Sequence, residues 1–135
     1  MNKNKIAILG GGNIGTAIAK GLIRSGLFSS EDIVITRLSS QPTSDIKEMG
    51  VRVLYDNAEA IRDAHYILLA VQPRQAEKLL QGIKDHINPQ KQVVISVITA
   101  FSFSEIEAII GEEFFITRIM PNTAIAVCES MTCLT

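Results

Sequence analysis

The sequence predicts an α/β fold built on a doubly wound, mostly parallel sheet, and three observations carry that prediction. Short apolar runs alternate with amphipathic runs along the chain. The connections between them are short, as β-α-β crossovers require. Residues Lys5 to Gly15 read K-I-A-I-L-G-G-G-N-I-G, an apolar strand entering Gly10-x-Gly12-x-x-Gly15 and then a helix. Strand, glycine turn and helix in that order form the phosphate-binding corner of a dinucleotide fold. The architecture expected is therefore Rossmann-like, with helices on both faces of the sheet.

Each element follows from its pattern. Asn13 to Ser25 places Ile14, Ala17, Ile18, Gly21 and Leu22 on one helical face, and Gly26 closes the helix. Asp32 to Thr36 is a second strand. The polar stretch from Arg37 to Ser44, with Pro42, leads into a short helix ending at Gly50. Val51 to Tyr55 reads as a third strand and Asn57 to Asp63 as a short helix, with Asn57 a natural N-cap. His65 to Val71 is nearly all apolar, which suits a strand covered on both faces.

Arg74 to His86 repeats the helical pattern through Ala76, Leu79, Leu80 and Ile83, with Ile87 following. Gln92 to Ile98 is the fifth strand. Ser102-x-x-Glu105 is a capping box, with Phe101 and Ile106 spaced as its hydrophobic staple, and the helix ends at Gly111. Phe114 to Met120 is the sixth strand, and Ala126 to Leu134 is expected to add another.

Bulk composition narrows the function classes. At 135 residues, with 47% apolar and 20% charged, the chain reads as one globular domain, residues 1–135. A net charge of -1 gives no electrostatic case for nucleic acid. No apolar run approaches the about 18 residues of a spanning helix, so no membrane partner is expected. Cys128 and Cys133 match no metal or disulfide spacing and have no histidine near them in sequence; no metal is expected, and the thiols suit a reducing cytoplasm.

The carboxyl ends of the strands should hold the ligand. Gly10 allows the tight turn, Gly12 leaves room for a pyrophosphate, and Gly15 lets the helix pack against the strand, which ends at Leu9. The helix then aims its unpaired N–H groups at the phosphates. The second strand ends Thr36-Arg37-Leu38-Ser39-Ser40, with no acid to hold a ribose 2′-hydroxyl. Arginine with hydroxyls suits a 2′-phosphate, which favours NADP(H), with NAD(H) as the alternative. An exposed surface arginine is the plain alternative for Arg37. Ala70-Val71-Gln72-Pro73 puts small residues where a ribose would pass, a pattern that packing explains equally well. His65 and His86 have no partner nearby in sequence, and Glu105, Glu107, Glu112 and Glu113 read as cap and solvated surface. No catalytic residue is assigned.

The most distinctive segment is Arg118-Ile119-Met120-Pro121-Asn122-Thr123. With the glycine corner and its Asn13, the A-V-Q-P turn and Ser130-Met131-Thr132, the chain resembles the N-terminal domain of pyrroline-5-carboxylate reductases, over essentially its whole length. The resemblance implies NADPH-dependent reduction of a small imine, 1-pyrroline-5-carboxylate, to L-proline. It places Gly10 to Ile14 at the pyrophosphate and Arg37 with Ser39 at the adenosine phosphate. Asn57 and Ala70 to Pro73 fall on the ribose and adenine side. Ile98 and Thr99, with Pro121 and Asn122, fall near the nicotinamide. Departures are present: Gln72 stands where the family has Lys, and Ile98-Thr99-Ala100 where it has Ala-Ala-Gly. Ala124 replaces a proline and Ser130 a glycine.

The family's enzymes add a helical domain that makes a homo-oligomer and supplies the substrate-carboxylate site. The expectation is thus a cofactor-holding part, incomplete at its C-terminal end and inactive by itself. Two alternatives stay open: another reductase on the same fold, such as the deazaflavin-dependent NADP reductases or β-hydroxyacid dehydrogenases, and a non-catalytic dinucleotide-binding protein.

Overall fold

The computed structural model describes residues 5–37 and 44–119. Six strands alternate with five α-helices in this part of the chain: β1 (Ile6–Leu9), α1 (Asn13–Ser25), β2 (Ile33–Thr36), α2 (Ser44–Glu48), β3 (Arg52–Leu54), α3 (Asn57–Ile61), β4 (Tyr66–Leu69), α4 (Pro73–Ile83), β5 (Val93–Ser96), α5 (Phe103–Ile110) and β6 (Phe115–Arg118). All neighbouring strands are parallel, in the order β3-β2-β1-β4-β5-β6. Strand order therefore reverses between β1 and β4, which opens a crevice at their carboxyl ends.

Apolar side chains on both faces of the strands produce two cores. Ala7, Leu9, Ile67 and Leu69 point to one side, against Ile61 of α3, Leu80 and Ile83 of α4 and Ile106 of α5. Ile6, Ile8 and Ile35 point to the other, against Ile18 of α1 and Ile46 of α2. Each wholly buried Ile or Leu contributes about 1.5–3 kcal/mol relative to exposure. This two-sided burial is why β1 and β4 lack polar alternation. At the outer edge, β6 leaves Phe115 largely exposed.

Strands are shorter than their apolar runs, because flanking residues take other partners. Asp32 closes a 3₁₀ turn: its N–H donates to the Ser29 carbonyl at 3.0 Å, and its carboxylate accepts from the Ser29 hydroxyl at 2.9 Å. Gln92 sends its amide nitrogen to the carbonyls of Ile61 and Ala64, at 2.7 and 3.0 Å, and its amide oxygen accepts from Asn88 N–H at 2.8 Å. Ile98 turns out of the sheet with its N–H donating to Ser96 Oγ at 3.2 Å. The capping box is formed, with Ser102 and Glu105 exchanging bonds of 3.2 Å, and Phe101 and Ile106 are buried in the same core. Asn57 is not the N-cap of α3. Asp56 takes that place, its Oδ1 accepting from Ala58 N–H at 3.0 Å, and Asn57 is the first helical residue. The expected strand from Ala126 to Leu134 lies outside the described residues.

Candidate dinucleotide site at the strand ends

The sheet register fixes the site's floor. Leu54, Thr36, Leu9, Leu69, Ser96 and Arg118, the last residues of the six strands, form one continuous row. Backbone bonds carry the sheet one step further: Arg37 N–H to the Leu54 carbonyl, Ala70 to Leu9, Val97 to Leu69 and Ile119 to Ser96. Arg37, Ala70, Val97 and Ile119 thus emerge along one edge, beside the glycine loop that follows Leu9. That row brings together residues far apart in the sequence.

The glycine corner is packed from within. Gly10 has φ +111, and a Cβ there would lie 2.8 Å from the Ala70 carbonyl oxygen and 2.9 Å from Val71 Cγ1. A Cβ on Gly15 would sit 2.2 Å from the Gly10 carbonyl oxygen, so this glycine lets α1 approach the turn. One on Gly11 would meet Ile35 Cγ2 at 2.8 Å and Arg37 Nε at 3.0 Å. Gly12 is different: a Cβ there would meet nothing within 4 Å among the described residues. Those residues give no steric reason for glycine at Gly12. Gly12 also starts α1 with no side-chain cap and no acid in the first turn, which leaves the helix N–H groups available to an anion.

Hydrogen bonds hold the loop in place. Gly10 N–H donates to Thr36 Oγ1 at 3.2 Å, and the Thr16 hydroxyl donates to the Gly11 carbonyl at 3.2 Å. Arg37 reaches the same carbonyl through Nε at 2.8 Å and also through Nη2. Its outer side meets Asp45 of α2, Nη1 to Oδ1 at 2.9 Å and Nη2 to Oδ2 at 3.3 Å. The Arg37 side chain is only 10% exposed and that of Asp45 50%. Arg37 is therefore not a plain surface arginine; it is built into the base of the loop. Hydrogen bonding to Arg37 is the main reason the Asp45 carboxyl lies below its ordinary range.

The other sequence-predicted residues fall as follows. Leu9 is wholly buried in the core and its carbonyl accepts from Ala70 N–H, so its side chain serves packing and has no face for a ligand. Ile98 is likewise buried, at the start of the β5–α5 loop. Asn13 and Thr99 are exposed, while Ile14, Ala70 and Val71 are half-buried at the rim. Gln72 is the N-cap of α4 and Pro73 its first residue; Gln72 N–H donates to Gln75 Oε1 at 3.3 Å. Asn57 is half-buried, and its Oδ1 has no hydrogen-bond partner among the described residues. A buried amide oxygen in that state is costly unless a further donor joins it. Ser39, Pro121 and Asn122 lie outside the described residues.

Sequence reasoning missed Gly11, Thr16, Thr36, Asp45 and the structural role of Arg118. Thr36 carried a signal, because a hydroxyl ending a buried strand must find a partner. Asp45 carried none, being eight residues from Arg37 in the sequence. Arg118 donates to the Phe101 carbonyl and lies 5.5 Å from the Phe103 ring centre, tying β6 to the β5–α5 loop. In that loop Ala100 has φ 58, a conformation that favours glycine. A cavity of about 270 Å³ at the amino ends of β1–β3, lined by Lys5, Glu31, Arg52 and Asp63 among others, includes none of the sequence-predicted residues. Among the described residues no group of three His, Cys, Asp or Glu side chains could hold a metal, and no helix is long and apolar enough to cross a membrane.

Six parallel strands in this order, with a glycine corner at the reversal, define a Rossmann-type nucleotide-binding domain. The chain belongs to the family described as NADP oxidoreductase coenzyme F420-dependent, whose model matches residues 5–100. It is similar to pyrroline-5-carboxylate reductase 2 of Dictyostelium discoideum, with 39% identity over 98% of this chain and 45% of that protein. The pyrroline-5-carboxylate reductase of Methanosarcina acetivorans is 31% identical over 96% of this chain and 48% of its own length. Among solved structures, that of a pyrroline-5-carboxylate reductase from Coxiella burnetii superposes with a TM-score of 0.90 at 32% identity, covering 98% of this chain and 49% of that one. The Plasmodium falciparum pyrroline carboxylate reductase, solved with NADP bound, gives 0.83 at 25% identity over 100% and 49%. The chain thus spans about half the length of these relatives.

Proposed function

We propose that residues 1–135 form a dinucleotide-binding domain that takes NADPH, with NADH as the weaker ligand, and serves the reduction of 1-pyrroline-5-carboxylate to L-proline in the cytoplasm. The observation that carries the cofactor reading is the corner itself. It combines a hydrogen-bonded loop, a helix start without a side-chain cap and a Gly12 whose Cβ would meet none of the described residues. Asn57 Oδ1 on the same sheet edge, without a partner among the described residues, fits a ligand hydroxyl as donor.

In this reading Gly10 to Ile14 and the start of α1 hold the pyrophosphate, and Arg37 takes the adenosine phosphate, where the resemblance also puts Ser39. Asn57 and Ala70 to Pro73 line the ribose and adenine side. Ile98 and Thr99, through their backbone, with Asn122, border the nicotinamide. Bound there, a reduced nicotinamide supplies the hydride that reduces the imine carbon, with a proton going to nitrogen. This chain's own residues orient the dinucleotide and shield the reacting face from water. The resemblance to the reductase family further implies that the working enzyme is a homo-oligomer.

The family's name favours a second reading, another NADP-dependent reductase of the same fold. Against it, the likeness to the Dictyostelium enzyme runs through Met120-Pro121-Asn122-Thr123, beyond the residues that the family model matches. A chimera separates the two. Replacing the matching half of the Dictyostelium reductase with this chain should give a folded protein that forms proline from NADPH and 1-pyrroline-5-carboxylate. A folded chimera that binds NADPH yet forms no proline would overturn the substrate assignment.

A further inference from the structure

The Arg37 guanidinium is held on two sides. Its inner side, Nε with Nη2, is spent on the Gly11 carbonyl, and Nη2 also approaches Thr16 Oγ1 at 3.3 Å. Its outer side, Nη1 with Nη2, is gripped by both carboxylate oxygens of Asp45 at 2.9 and 3.3 Å. With the arginine side chain 10% exposed and the aspartate 50%, the carboxylate is the more accessible member of the pair. The carboxylate occupies the fork that a phosphate would use. Asp45 also leaves the pair with almost no net charge for a 2′-phosphate to meet.

We infer that Asp45 is a specificity-determining residue that competes with the 2′-phosphate for Arg37, narrowing the preference for NADPH over NADH. The inference rests on the dinucleotide reading above. A nucleotide without the 2′-phosphate makes no demand on that fork, so Asp45 leaves it untouched. One bearing the 2′-phosphate must displace the carboxylate or sit beside it. Like charges a few ångströms apart in a solvent-exposed setting weaken binding by about three- to tenfold.

The test is titration of the 135-residue chain with NADPH and with NADH, following nicotinamide fluorescence, for the parent, Asp45→Asn, Asp45→Glu and the remote control Glu113→Gln. Circular dichroism verifies that each variant is folded. Asp45→Asn is expected to raise the NADPH-over-NADH affinity ratio about three- to tenfold, mainly by tightening NADPH. Asp45→Glu and Glu113→Gln should stay near the parent ratio. An unchanged or lowered ratio in folded Asp45→Asn overturns the inference while leaving the dinucleotide reading intact. So does an equal rise in Glu113→Gln, which would show a net-charge effect only. If the parent binds neither nucleotide, the dinucleotide reading falls, and this inference with it.

Discussion

Gly12 and Gly15 sit three residues apart in one motif, yet the structure assigns them separable jobs, and alanine at each should separate stability from binding. At Gly15, alanine gains about 1 kcal/mol of helix propensity. Against that, its Cβ would lie 2.2 Å from the Gly10 carbonyl oxygen and 3.1 Å from Ile8 Cγ2. The near atom is backbone, so the turn or the helix must shift by about 1 Å, which puts the cost of overpacking in the upper part of its range, about 2–3 kcal/mol. The expected net loss is about 1–2 kcal/mol, a fall of roughly 3–8 °C in Tm for a chain of this size. Binding of NADPH should weaken as well, because the displaced backbone is the corner.

At Gly12 the arithmetic reverses. Its φ of -79 and ψ of -160 suit any L-residue, and the added methyl meets no atom of the described residues within 4 Å. A gain of about 0.4–1 kcal/mol from restricting the unfolded chain offsets the poorer N-cap quality of alanine, leaving stability within about 0.5 kcal/mol of the parent. On the proposed placement of the pyrophosphate against this backbone, the methyl should nevertheless lower NADPH affinity about tenfold or more. Urea midpoints and fluorescence titration on the same samples give both readouts. Parent-like NADPH affinity in Gly12→Ala would refute the placement of the phosphates; a parent-like midpoint in Gly15→Ala would refute the packing argument.

Three further outcomes follow from single contacts. Ala100→Gly should stabilise the chain by up to about 1 kcal/mol, seen as a higher urea midpoint, since a left-handed alanine costs about 1–2 kcal/mol and glycine returns part of that as chain entropy. Gln92→Leu should lower stability by about 2–4 kcal/mol in the same assay, because the Ile61 and Ala64 carbonyls and Asn88 N–H lose their buried partner. The Asp45 carboxyl has a folded pKa below its ordinary value of 3.8, so its ion pair contributes fully above that value and is lost as pH falls through the depressed one. The parent should therefore exceed Asp45→Asn in urea midpoint equally at pH 7 and pH 5, with the gap closing only below about pH 3.8.

Much of this architecture is legible in the sequence because two-sided burial leaves a strong signature. Ile6 to Leu9 and Tyr66 to Leu69 are apolar without alternation, and that alone marks them as central parallel strands. The spacing of Ser102, Glu105, Phe101 and Ile106 specified a helix start correctly because every contact is local. Where two neighbours offer the same chemistry, spacing cannot choose. Asp56 and Asn57 are both good caps, and only the backbone shows that Asp56 holds the position, which releases Asn57 to point elsewhere. Contacts between separate elements are less legible still. Nothing in the stretch from Arg37 to Ser44 indicates that the arginine folds back under Gly11 while Asp45 closes over it.

That buried arrangement changes how Arg37 should be interrogated. An arginine after β2 invites the test of replacing it and watching NADP preference, on the assumption that its one task is to greet a phosphate. Here the same guanidinium also braces the Gly11 carbonyl, and with it the loop to which the proposed reading gives the pyrophosphate of either nucleotide. Its removal strips a buried carbonyl of its charged donor and loosens the corner, so NADH and NADPH affinity should fall together. A change in preference would be superimposed on that common loss. Asp45 touches only the outer side of the guanidinium and is half exposed. Its neutralisation leaves the bonds to Gly11 in place and alters the phosphate-facing charge alone. The acid, which no sequence motif marks, is therefore the cleaner handle on selectivity than the arginine that the motif does mark.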